Sequence, residues 1–258
     1  MNRGFRRVPA IDKCFAILDL LAQSSEPMGI SDISGKLSLN KSTVFNIGHT
    51  LKDLNILEHR QDGKFVFGTR FYILGSIAGK RSALIQTVHP YLEMINEKTK
   101  LSAFLGIRSD RQAILIDKVD SAYGLKVSTD VGMQMPILAG PGIKAMLSQL
   151  SDEEIDEILG RSELRRYTPY SITDREAYKE TLLKARRDGI VYDKEGYVEG
   201  MIGFAVPLKT GSKDVQAAIW AVGLTHQVPE SSIPELTAFL KGISEEISYR
   251  LESMVQQR

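Results

Sequence analysis

Residues 30–68 read ISDISGKLSLNKSTVFNIGHTLKDLNILEHRQDGKFVFG. In the first part Ile30, Ile33 and Leu37 recur at three- and four-residue steps, which predicts a short amphipathic helix. A polar break at Ser38 to Asn40 separates it from a second helix running from about Lys41 to Leu54. Ser38 or Asn40 is placed to accept from that helix's free N–H groups. On the second helix Val44, Ile47, Leu51 and Leu54 share one face, and Ser42, Phe45, Asn46 and His49 point the other way. The outer face offers hydrogen-bonding and stacking groups and has no acid before Asp53. Ile56 to Arg60 and Lys64 to Phe67, joined by Gln61-Asp62-Gly63, read as two strands of a small hairpin. Helix, tight turn, helix and hairpin is the order of a winged helix-turn-helix, which lays its second helix in the DNA major groove. On that reading Lys41, Ser42 and Thr43 meet phosphate at the helix N-terminus. Asn46 pairs with an adenine edge, and His49 or Ser42 reaches a neighbouring base. Phe45, with Arg60 and Lys64 of the hairpin, completes the DNA-binding set. The competing reading of Asn46 and His49 is an ordinary solvated helix face.

Working outward, Ala10 to Ser24 reads as a helix with Ile11, Phe15, Leu18, Leu21 and Ala22 on one stripe. Met1 to Pro9 is a basic arm, with phosphate contact and plain fraying both open to it. Residues 1–80 carry 11 Lys and Arg against 7 Asp and Glu, and the rest of the chain 22 against 25, so positive charge gathers at the front end. The length of 258 residues suits one or two domains that need no staples. The single cysteine, Cys14, leaves no internal disulfide and fits a reducing compartment. It reads as a small core residue. With no signal peptide and no apolar run near the roughly 20 residues that span a bilayer, a cytoplasmic protein without membrane contact is expected.

Phe71 to about Thr87 reads as a linker helix with a break near Gly79 and Lys80. The expected organisation is therefore residues 1–70 as the winged domain, 71–87 as linker and 88–258 as a second domain. In that domain His89-Pro90-Tyr91 is expected to open a helix to about Lys100. Ser102 to Arg108, Ala113 to Val119 and Leu125 to Val131 read as antiparallel strands. Helices follow over Pro141 to Leu150, Asp152 to Leu159 after a Ser151 cap, and Asp174 to Arg187. Phe204 to Leu208 and Val215 to Leu224 form a further hairpin, and a helix from Ile233 to Met254 closes the chain. Runs of strands flanked by helices predict an α+β fold.

The stretch Lys41-Ser42-Thr43-Val44-Phe45, with its following Asp62-Gly63 turn, resembles the recognition helix and wing of the IclR-type transcriptional regulators. Asn46 and Gly48 stand where Arg and Leu are common in that family, and a helical glycine costs roughly 1 kcal/mol against Ala. Pro136, Lys144-Ala145, Glu195, Gly200, Ala205 and Pro207 extend the resemblance to the second half, so that it covers nearly the whole chain. It implies a GAF-like α/β effector-binding domain, a linker that helps pair two chains, and a homodimer or homotetramer. It also implies a small-molecule site which, position by position, falls on Pro141, Gly142, Asp193, Gly203, Trp220 and Val222. Small polar residues are common in the family where Trp220 and Val222 stand. A more apolar site follows, suited to an aromatic or apolar ligand as well as to a small organic acid. Read from their residues alone, Met135 to Lys144, where a Gly-Pro-Gly turn opens a helix whose N-terminus favours an anion such as a carboxylate, and the polar loop Asp193 to Gly200 could each form a site, with ordinary turn chemistry the alternative for both.

The expected function is a transcriptional regulator whose affinity for a double-stranded operator is modulated by a small organic or aromatic acid. The alternative is a ligand-handling enzyme with an appended winged module. Against catalysis stand four dispersed histidines (His49, His59, His89, His226), no metal-ligand spacing, and neither a phosphate-loop motif nor a nucleophile elbow. No cofactor and no metal are expected.

Overall fold

The computed structural model describes residues 6–109, 112–212 and 215–256. The first five residues of the basic arm lie outside them. The chain divides into two compact units, Met1–Arg81 and Ser82–Arg258.

The first unit runs α1 (Pro9–Gln23), β1 (Met28–Gly29), α2 (Ile30–Leu37), α3 (Lys41–Asp53), β2 (Leu57–His59), β3 (Lys64–Phe67) and α4 (Thr69–Lys80). Helix α2 starts where the Gly29 N–H donates to Asp32 at 3.0 Å, and it ends on Ser38 in the left-handed region, φ 52°. The two-residue β1 was not foreseen. It pairs with β3, Met28 opposite Phe65, and makes the wing a three-stranded antiparallel sheet in the order β1-β3-β2. Ile17, Leu18, Leu21, Ile33, Val44, Leu51, Leu57 and Phe65 close the core.

Two sequence expectations shift here. Helix α1 turns Ile17 inward with Leu18 and Leu21, leaving Ile11 and Phe15 more than half exposed at 55% and 58%. Both of its faces are apolar, and the unit buries only one of them. Leu54 lies past the end of α3 and is exposed, while the inward positions one and two turns earlier belong to Leu51 and Gly48.

The second unit runs α5 (Ala83–Thr99), β4 (Ser102–Ser109), β5 (Gln112–Val119), β6 (Gln134–Pro136), α6 (Pro141–Leu147), α7 (Asp152–Arg161), α8 (Arg175–Asp188), β7 (Val191–Lys194), β8 (Met201–Leu208), β9 (Ala217–Leu224) and α9 (Ile233–Gln256). Its six strands form one antiparallel sheet in the order β6-β5-β4-β9-β8-β7. Side chains of successive strand residues point to opposite faces. Ala103, Leu105, Phe204, Val206, Ile219 and Ala221 therefore pack on α5 and α9. Phe104, Leu115, Ala205, Ala218, Trp220 and Val222 pack on α6, α7 and α8. The result is a GAF-like arrangement of helices on both faces of a central sheet, so the chain as a whole is α+β.

Three expectations are corrected. Helix α5 begins at Ala83, with the Ser82 hydroxyl accepting from the Ile85 N–H, so Pro90 lies inside the helix and does not open it. Leu125 to Val131 is not a strand. It is held by side chains in place of a strand ladder: Val127 O accepts from the Ser102 hydroxyl, and the Ser128 hydroxyl donates to Asp120 and accepts from Lys118. Asp193 and Lys194, read as the start of a polar loop, belong to the edge strand β7.

Candidate functional site

The first candidate surface is the outer side of α3 with the wing. The Asn40 side chain makes no capping bond, so the first N–H groups of α3 have no side-chain acceptor there. Lys41, Ser42, Phe45 and Asn46 are exposed, and Thr43 and His49 are half-buried. Of these six, His49 also meets the core, its ring standing edge-on to Phe65 with centroids 6.1 Å apart. Phe45 and His49 stack with ring centroids 4.2 Å apart. His49 also lies 5.5 Å from His59 of β2, and His59 lies 5.0 Å from Phe65. His59 is thus an exposed member of this surface that sequence reasoning left out. Its place next to Arg60 on a predicted strand was the available signal. Arg60 and Lys64 flank the turn, with the Arg60 N–H donating to Lys64 O at 2.8 Å and Gly63 at φ 80° between them.

Gly48 explains how helix and wing meet. A β-carbon on it would lie 2.7 Å from the Phe65 ring, closer than a real contact allows. The glycine that weakens α3 as an isolated helix is the one that lets Phe65 press against its backbone.

The second site is a cavity of about 310 Å³ on the α6 side of the sheet. Pro141, Gly142, Asp193, Gly203, Trp220 and Val222 all line it. Sheet register brings most of them together. Asp193 pairs with Gly203, and Gly203 with Val222, so a single row crosses β7, β8 and β9. One pleat away, Ala205, Trp220 and Phe104 form the next row. Pro141 and Gly142 arrive at the start of α6, after Gly140 at φ 79°.

Trp220 is 4% exposed and is gripped by two glycines. A β-carbon on Gly106 or Gly142 would lie 2.6 or 2.7 Å from its indole. Gly203 is equally constrained, because a β-carbon there would lie 2.6 Å from the Pro141 ring. The cavity also takes in Met135 and Tyr197, from the two stretches read as possible sites, and Phe104 and Met133, which sequence reasoning did not single out. For Phe104 the signal existed, since it shares the strand phase that faces Trp220. For Met133 it did not, because its segment has no regular period.

Asp193 forms a buried ion pair with Lys144, each residue being 7% exposed. Its other oxygen accepts from the Gly196 N–H at 2.9 Å. The Lys144 ammonium lies 5.8 Å from the centre of the Tyr178 ring. Burial, and then the Asp193 carboxylate, push the Tyr178 phenol far above its usual range, and among the described residues its hydroxyl has no hydrogen-bond partner. Asp193 and Glu195 are the charged side chains that line the cavity; Lys144 instead opens on a second groove with Tyr170, Lys184 and Asp188. Among the described residues no group of three or more His, Cys, Asp or Glu could hold a metal ion, and no helix is long and apolar enough to cross a membrane.

Comparison with known proteins gives matches for both units. The IclR helix-turn-helix domain family matches residues 10–61, and the family described as bacterial transcriptional regulator IclR C-terminal matches residues 78–249. The chain is 27% identical over 245 residues to the HTH-type transcriptional regulator KdgR of Escherichia coli strain K12, covering 95% of this chain and 93% of that one. Among solved structures it is similar to an IclR transcriptional regulator from Alicyclobacillus acidocaldarius, with TM-score 0.83, 22% identity, and 95% and 100% of the two chains covered. A second similar structure is an IclR homolog from Microbacterium hydrocarbonoxydans in complex with 4-hydroxybenzoate, with TM-score 0.77, 22% identity, and 95% and 99% covered.

Proposed function

Because this chain belongs to the IclR family of bacterial transcriptional regulators, we propose that residues 1–70 read an operator, 88–258 sense a small effector, and 71–87 link the two. The observation that carries the DNA half is the exposed, acid-free outer face of α3 beside a wing that carries Arg60 and Lys64. Lys41, Ser42 and Thr43 fix position on phosphate, and Asn46, with His49, reads base edges. Phe45, Arg60 and Lys64 flank that reading surface.

The effector site is the cavity lined by Pro141, Gly142, Asp193, Gly203, Trp220 and Val222. At about 310 Å³ it lies at the small end of ligand cavities, which span roughly 300–1,000 Å³, so its ligand is about the size of one substituted ring. That scale is in keeping with the 4-hydroxybenzoate held by the Microbacterium homolog. A ligand that binds one arrangement of the protein more tightly than another shifts operator affinity by that difference and no more. The chain works as a homo-oligomer in the cytoplasm and has no catalytic step. Support for the oligomer comes from α4, which buries no residue and exposes Phe71, Tyr72, Ile73, Leu74 and Ile77, and from Ile11 and Phe15 on α1. Apolar surface of that kind marks an interface.

The test is Asn46→Ala assayed on operator and on random duplex. Specific affinity is expected to fall by about 1–3 kcal/mol with nonspecific affinity and thermal stability unchanged. Equal loss on both duplexes removes Asn46 from base readout.

A further inference from the structure

Both histidines of the first unit stand together on its outer surface. His49 projects from α3 one turn after Phe45, with ring centroids 4.2 Å apart, and His59 stands on β2 opposite Phe65, with centroids 5.0 Å apart. The two imidazoles are themselves 5.5 Å apart. Gly48 sets this spacing, because it lets the Phe65 ring press against the α3 backbone beside His49. His59 is exposed and His49 half-buried. The rings are met by α3, β2 and β3. The charged groups of these elements are Lys41, Lys52 and Asp53 on α3, Glu58 next to His59, and Arg60, Asp62 and Lys64 around the turn. Glu58 points to the other face of its strand, and Asp62 accepts from the Lys64 N–H at 3.2 Å. Among the described residues neither His49 nor His59 pairs with a carboxylate, in contrast to His89, which lies 2.8 Å from Asp117.

A histidine gains or loses its charge between about pH 5 and 8. Two imidazolium ions this close repel, so the pair holds one proton more readily than two. The negative potential that the surrounding side chains do not supply is supplied by DNA phosphates. Resting on the DNA-reading surface proposed above, we infer that His49 and His59 form a proton-binding pair on that surface, and that the protein takes up a proton there when it binds its operator. The sign follows from linkage. Because the complex favours the charged form, affinity rises as pH falls, and the gain is lost as pH rises through the window in which imidazole gives up its proton. His59 thereby joins the reading surface through charge, although it lies on the wing and not on α3.

The experiment uses a duplex enriched from a random-sequence pool by the full chain. Its affinity is measured from about pH 8 to about pH 6 at fixed salt, for the natural protein and for the double variant His49→Gln with His59→Gln, which keeps His89 and His226. Affinity of the natural protein is expected to rise at least about fivefold over that range, and that of the double variant to change less than about twofold. Calorimetry near neutral pH in two buffers of different ionisation enthalpy should show net proton uptake by the natural protein alone. Should the double variant not fold, His59→Gln, at an exposed position, is expected to weaken the pH dependence. A flat profile in the natural protein, or an unchanged slope in the variants, would overturn the inference and leave the DNA-reading surface in place. Failure to enrich any duplex, or binding that does not respond to salt, would overturn the DNA-reading surface itself.

Discussion

A β-carbon on Gly48 would lie 2.7 Å from the Phe65 ring, and β-carbons on Gly106 and Gly142 would lie 2.6 and 2.7 Å from the Trp220 indole. In both units a glycine yields space to an aromatic side chain, but the two arrangements use that space differently. Phe65 is 1% exposed and closes the core of the first unit, while the opposite side of the same helix carries Ser42, Phe45 and Asn46 in the open. Trp220 is core and cavity wall at once, and Asp193 is a cavity residue held in a buried ion pair. On the proposed reading, DNA recognition is laid on the outside of a finished core, whereas effector sensing is cut into one. Substitutions on the first surface should change recognition without changing stability. Substitutions around the second should change both together.

The largest effect that would test this contrast is expected from Lys144→Met. Removing one member of a buried pair leaves the other charge uncompensated, which costs about 3–5 kcal/mol. Chemical denaturation of the full chain should show the C-terminal unit's transition moved by that amount. The double variant Lys144→Met with Asp193→Leu should recover most of it, because an apolar pair of similar volume requires no charge desolvation. A single variant as stable as the natural protein would mean that the pair is solvated, and the contrast between the two units would fail at its strongest point.

Gly48→Leu comes next, and it probes the place where reading face and core touch. Leu favours a helix over Gly by roughly 1 kcal/mol. In this chain the added side chain meets Phe65, and overpacking a formed core costs typically about 1–3 kcal/mol. Net destabilisation of about 1–2 kcal/mol is expected, with a larger loss of operator affinity, because Phe65 carries the wing strand next to His59. A companion change of Phe65 to Leu should restore stability. Stability rising in the single variant would show that the wing yields freely and does not fix the reading surface.

How far the sequence reached follows the same division. The winged unit was legible because α2, α3 and the β2–β3 hairpin each carry their own period and turn chemistry, independent of distant partners. Gly48 looked like a fault in α3 because its reason, Phe65, lies seventeen residues further on and across the unit. In the second unit β4, β5, β8 and β9 announced themselves by apolar runs. Edge strand β7 did not, since its exposed side carries Tyr192 and Lys194 and its inward side a buried Asp193. Leu125 to Val131 had the composition of a strand, yet Ser102, Lys118 and Asp120 hold it in another path. The six cavity positions came from family resemblance, and the strand register explains why they converge. Nothing local to Pro141 or Gly203 says that these residues lie against one another.

The smallest effect on operator affinity is expected at Gly63, where the stability cost is like that at Gly48 but separates backbone strain from packing. This glycine has φ 80° in the wing turn, and a β-carbon on it meets nothing within 4 Å, unlike one on Gly48. Gly63→Ala should therefore cost only the left-handed conformation, about 1–2 kcal/mol, with no steric contribution. The neighbouring Arg60 and Lys64 are joined through the backbone bond that closes the turn, so a strained turn would also misplace the wing's two cations. Operator affinity should then fall with a shallower salt dependence, because fewer phosphates are neutralised. Thermal unfolding and a salt series on Gly63→Ala and Gly63→Asn decide the matter, since Asn tolerates the left-handed region better than Ala. If both variants lose equal stability, the cost is not conformational, and the turn must be packed against something that its open surroundings do not show.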